Sequence, residues 1–102
     1  MNDVRYQEIK EGEYFYKEYV GKHCTISTQF TASGEIRDQF MDVRVSEHLS
    51  PMRVVNDYNE KDIKSLIGRV DSLTTEKRHI SFFSCIGDKL PLSEINEVVK
   101  DL

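Results

Sequence analysis

Residues 24–30, Cys-Thr-Ile-Ser-Thr-Gln-Phe, place Cys24, Ile26, Thr28 and Phe30 on one side and Thr25, Ser27 and Gln29 on the other. Side chains of an extended chain point alternately up and down, so this period of two marks a half-buried strand. Residues 35–48 repeat the signal, with Met41, Val43 and Val45 opposite Asp42, Arg44 and Ser46. Two such segments a short Gly-containing turn apart, Thr31 to Glu35, commit the chain to a sheet before anything else is read.

The rest of the chain is read around that pair. Residues 4–11 predict a short N-terminal helix ending near Gly12, and residues 13–21 are open to helix or strand, with Tyr14, Tyr16 and Val20 favouring an extended form. Pro51, which has no N–H to give, predicts a break. Residues 52–58 predict a third strand and 59–62 its turn. Residues 63–73 predict a fourth strand, with Gly68 as a bulge or bend. Residues 74–78 make a polar loop, 79–86 a fifth strand and 89–92 a short sixth. Ser93 is placed to cap a last helical turn over 94–102.

The expected fold is therefore mainly β: one domain over residues 1–102, as a small Sm/SH3-like barrel or curved antiparallel sheet of about six strands with a short N-terminal helix. At 102 residues and 38% hydrophobic content the chain can bury a modest core. Alternation sends Phe83 to the face opposite Ile80, where it is either covered or available for contact.

Charge narrows the partners. The net charge is −4, and residues 1–51 hold most of the excess, with six basic and nine acidic side chains. Such a chain is not steered toward duplex nucleic acid. The polar start, without an apolar leader segment, and the lack of an ~18-residue apolar run point to a cytoplasmic protein with no membrane contact and reduced thiols.

Chemical motifs are tested and fail. His23, Cys24, His48, His79 and Cys85 show no zinc-ligand spacing, so no metal and no cofactor is expected. Residues 57–68 begin like a calcium loop but carry Asp62 and Gly68 where that loop needs Gly and Glu. His79 and Cys85 lie about 20 Å apart along one extended segment, too far for a catalytic pair. No nucleophile elbow and no Gly-rich phosphate loop occur. The chain reads as a non-enzyme.

Residues 52–99 resemble the YolD-like family of small bacterial and prophage proteins. The features that carry the resemblance are the aromatic Tyr58, the segment Gly68-Arg69-Val70-Asp71 with Leu73, and Leu90-Pro91-Leu92 with Ile95. Residues 1–51 depart from that family's usual helical start. The resemblance implies a small non-enzymatic β-barrel. It further implies an accessory or regulatory protein acting by protein–protein contact on a DNA-handling enzyme of the translesion-repair type.

The candidate contact residues are Tyr14, Tyr16, Tyr58, Arg69, Lys77, Arg78 and Phe83, since Tyr and Arg are favoured anchors where proteins meet. An alternative reading makes the chain a single-stranded nucleic-acid binder, with residues 77–83 and the N-terminal tyrosines supplying stacking and charge. A third makes it a phage-type inhibitor working through an acidic face of Asp38, Asp42 and Glu47. An edge strand also offers a place for a partner or a second copy.

Overall fold

The computed structural model describes residues 4–74, 83 and 89–102. It is mainly β. Five antiparallel strands follow one another as a meander: β1 (Arg5–Glu11), β2 (Tyr14–Val20), β3 (Cys24–Phe30), β4 (Ile36–Val45) and β5 (His48–Val55). Helix α1 (Glu60–Leu73) follows. A two-residue strand β6 (Leu90–Pro91) then lies parallel to β5, and helix α2 (Leu92–Val99) comes last. The sheet order is β1-β2-β3-β4-β5-β6, so β1 and β6 stand at opposite ends and the sheet is open. No described helix is long and apolar enough to cross a membrane.

The N-terminal helix does not form. Residues 5–11 are a strand, paired to β2 from Arg5↔Val20 to Glu11↔Tyr14. Gly12 and Glu13 are the whole turn, and Gly12 takes φ +58 while Glu13 stays at negative φ. That is the type II′ pattern, whose twist matches two antiparallel strands. Gly12 thus joins two strands where the sequence reading ended a helix.

The second correction is larger. Residues 60–73, expected as a turn and a strand, form α1. Ile63, Leu66, Ile67 and Val70 recur at helical spacing and are all buried. The "turn" residues are its start: the Asn59 side chain accepts from the Asp62 N–H at 2.9 Å, and Glu60 and Asp62 sit favourably in the first turn. Gly68 lies in mid-helix and marks no bulge. The expected third strand is likewise shifted: β5 begins at His48 and runs through Pro51. Pro51 faces Asp42 in a pair flanked by bonded pairs, so its missing N–H points away from β4, where no donor is needed. The expected fifth strand lies outside the described residues, apart from Phe83.

One core joins the layers. Cys24 and Ile26 from β3, Met41 and Val43 from β4, and Met52 and Val54 from β5 meet Ile63, Leu66, Ile67 and Val70 of α1 and Leu92, Ile95 and Val99 of α2. Each such side chain withdrawn from water contributes about 1.5–3 kcal/mol. Phe83 is 1% exposed and belongs to this core. The expectation of an exposed Phe83 meeting a partner is therefore corrected: it is a packing residue.

The last helix forms at its expected place, but its cap is supplied differently. Ser93 is inside α2. Asp57, just beyond β5, accepts from the Ser93 N–H at 3.0 Å and from the Ser93 hydroxyl. This fixes α2 to the end of the sheet and holds the Asp57 carboxyl below its usual range, the Ser93 hydroxyl being the main cause.

Candidate interaction surface

The helices cover one side of the sheet. Antiparallel partners share a side, so β register assigns the other side to Arg5, Gln7, Ile9 and Glu11, then Tyr14, Tyr16 and Glu18, then Thr25, Ser27 and Gln29. It continues with Asp38, Phe40, Asp42 and Arg44, and ends with Leu49, Pro51 and Arg53. Neither described helix packs there.

This open side is a trough. Ser27 and Gln29 at its centre are only 4% and 7% exposed, though no described helix lies over them. A depression of about 370 Å³ is lined by Ile9, Glu11, Tyr16, Glu18, Ser27, Phe40 and Asp42. Three carboxylates, Glu11, Glu18 and Asp42, are thus spaced along a trough that also carries Ile9 and Phe40. Burial, with Glu18 next, raises the Asp42 carboxyl above its ordinary value, and Arg44 only partly offsets this.

The aromatic end of the trough is ordered by hydrogen bonds. Gln29 Nε2 donates to the Tyr16 hydroxyl at 2.8 Å. The Arg37 guanidinium lies 4.6 Å from the Tyr14 ring centroid, and its Nη1 donates to Gln29 Oε1 at 3.5 Å. Arg37 reaches this side because the register slips at Gln29/Phe30, where a bulge aims an extra side chain. Tyr14 and Tyr16 thus share one ordered, half-buried cluster.

The remaining sequence candidates separate. Lys17, between Tyr16 and Glu18 in the chain, points to the helix side. Lys22 lies at the far turn, where its N–H binds Asp71. The tyrosine–lysine patch seen along the sequence is therefore split between two faces. Tyr58 and Arg69 do meet, but through a third residue. Asn96 donates to the Tyr58 hydroxyl at 2.9 Å and accepts from Arg69 Nη1 at 2.7 Å. Both tie α1 and the β5–α1 connection to α2, which is a structural task. Lys77 and Arg78 lie outside the described residues. Asp38 and Asp42 do share the open side, while Glu47 stands in the β4–β5 turn.

Sequence reading missed Glu11, Glu18, Gln29 and Phe40. Their signal was available in the alternation, but only cross-strand register says which alternating set is left uncovered. It also missed a second cluster, on the helix side but beyond the helices. Phe15 and Phe30 are cross-strand neighbours there. Lys10 Nζ stands 5.6 Å from the Phe15 ring centroid, and Lys17 Nζ stands 5.0 Å from that of Phe30.

Among the described residues no three His, Cys, Asp or Glu side chains gather as a metal-ligand set. Cys24 is buried and unbridged, and burial pushes its thiol well up, away from reactivity. No protein-family model matches the chain, and no curated protein or solved structure matches it.

Proposed function

We propose that this chain is a non-catalytic binding module that holds a partner protein in the trough on the open side of its sheet. The observation carrying this reading is that Glu11, Glu18 and Asp42 line one trough together with Ile9 and Phe40. Carboxylates between apolar walls suit a basic segment with apolar neighbours, bound by charge complementarity and modest burial. Tyr14 and Tyr16 form the rigid aromatic end of the site. An Sm/SH3-like curvature of the meander would deepen the trough. This joins the acidic-face and partner-module readings into one surface. The resemblance of residues 52–99 to YolD-like proteins makes a DNA-handling enzyme of the translesion-repair type the first partner to titrate.

The test is binding of such a purified polymerase, measured by interferometry at two salt concentrations, with wild type and a Glu18→Lys/Asp42→Lys variant. Binding that weakens with salt and is lost in the variant supports the trough. Equal capture by both proteins, with the variant folded by circular dichroism, removes the trough from the interface.

A second reading has its own observation. Phe15 and Phe30 with Lys10 and Lys17 combine ring faces and cations as single-stranded nucleic-acid binders do. Anisotropy of a labelled oligonucleotide separates the two, since this binding would survive Glu18→Lys/Asp42→Lys and fail in Lys10→Glu/Lys17→Glu.

A further inference from the structure

Strand β1 ends the sheet, and among the described residues nothing pairs with its outer side. Its two-residue turn makes Glu11↔Tyr14 a mutually bonded pair, so Arg5, Gln7, Ile9 and Glu11 spend their backbone groups on β2. The N–H and C=O groups of Tyr6, Glu8 and Lys10 therefore point outward. Ile9 is 40% exposed and Tyr6 43%.

We infer that β1 pairs antiparallel with β1 of a second copy, about a two-fold axis at Ile9. The charges select this register. With the axis at Ile9, Glu8 of each copy faces Lys10 of the other, and both residues carry the free backbone groups. Each pair then exchanges both N–H···O=C bonds. Glu8 already faces Lys17 across β1–β2, so it would stand between two lysines. Ile9 meets Ile9 at the closely spaced, non-bonded position, on the other side of the sheet. Gln7 faces Glu11, and Tyr6 reaches Gly12, whose missing side chain leaves room for a ring. Moving the axis by one residue sets Glu8 against Glu8, or Lys10 against Lys10. Those like-charge pairs disfavour the neighbouring registers.

Such pairing would make one continuous sheet and set the two open-side troughs side by side, facing the same way. It does not depend on what the trough binds.

Sedimentation velocity over a concentration series tests it. Wild type should dimerise reversibly. Glu8→Lys and Lys10→Glu should each weaken the dimer at least tenfold. The double exchange Glu8→Lys/Lys10→Glu should restore it, because opposite charges face each other again. Circular dichroism of each variant should match wild type, since both side chains are exposed. A wild type that stays monomeric up to about 1 mM overturns the inference. So does a dimer indifferent to the single changes, or one that the double exchange does not restore.

Discussion

The Asp71 carboxylate accepts the backbone N–H of His23 at 2.7 Å. The same oxygen takes the Cys24 N–H at 2.9 Å, and its other oxygen takes the Lys22 N–H at 2.8 Å. One side chain near the end of α1 thus gathers three consecutive donors from the β2–β3 connection. The turn bends tightly enough for this because Gly21 sits beneath the helix. A Cβ there would stand 2.3 Å from Ile67 Cγ2 and 2.5 Å from Asp71 Oδ2.

Asp71→Ala should destabilise the fold by about 2–3 kcal/mol, because three N–H donors lose a charged acceptor and water reaches them only in part. Gly21→Ala should cost about 1–3 kcal/mol, by forcing the helix off the turn. Urea denaturation of both variants measures these losses. Since the two act at one contact, the double variant should lose less than the sum. Full additivity would mean that the clasp and the close approach are independent.

Phe83→Ala should cost about 3–5 kcal/mol, as expected for emptying a core site. The same denaturation experiment decides it. A loss below about 0.5 kcal/mol, typical of surface changes, would contradict the buried placement.

Ser46 is the first residue of the two-residue β4–β5 turn and takes φ +55, a region that costs an L side chain energy. Ser46→Gly should raise stability by up to about 1 kcal/mol, after allowing for the extra freedom of glycine in the unfolded chain. A rise in melting temperature by calorimetry is the expected readout, and a fall would show that the Ser46 side chain is doing something at the turn.

Two carboxylates should respond to pH in opposite senses. Asp57 is held below its ordinary value by the Ser93 hydroxyl, so its contribution is present at neutral pH and fades as pH falls through the acid range. Ser93→Ala should therefore flatten the acid limb of the stability profile. Asp42 is raised by burial and by Glu18, so its contribution is complete only at low pH and is lost as pH rises through its folded value. Asp42→Asn should therefore stabilise the protein at pH 7, and the gain should vanish near pH 3. Chemical denaturation across pH 3–8 checks both, and a shared direction would contradict the assigned environments.

The central strands β3 and β4 were legible from local pattern, whereas β1, β5 and α1 were not. The alternation over 24–30 and 41–45 survives as β3 and β4 because a strand exposes its two sides to different surroundings, and composition records that difference directly. The last helix was legible for the same kind of reason, with Leu92, Ile95 and Val99 at helical spacing. Residues 60–73 were misread although the spacing of Ile63, Leu66, Ile67 and Val70 fits a helix. Gly68, Ile and Val weaken helix propensity, and a glycine within an apolar run also fits a bent strand. The tie breaks only when that apolar stripe finds Cys24 and Ile26 to pack against.

What the sequence determined by itself is the two-sided alternation that makes strands of β3 and β4. Two-residue turns at Gly12-Glu13 and Ser46-Glu47 set register locally, and register sets which residues share a side. What only the tertiary structure decided is which side stays open. Both sides of β3 carry residues that can be buried, and nothing in its alternation says where a helix formed thirty or more positions later will lie. Docking α1 through Asp71 onto residues 22–24 chose one side for the core. The other, with Tyr14, Tyr16, Glu18 and Asp42, was left as surface.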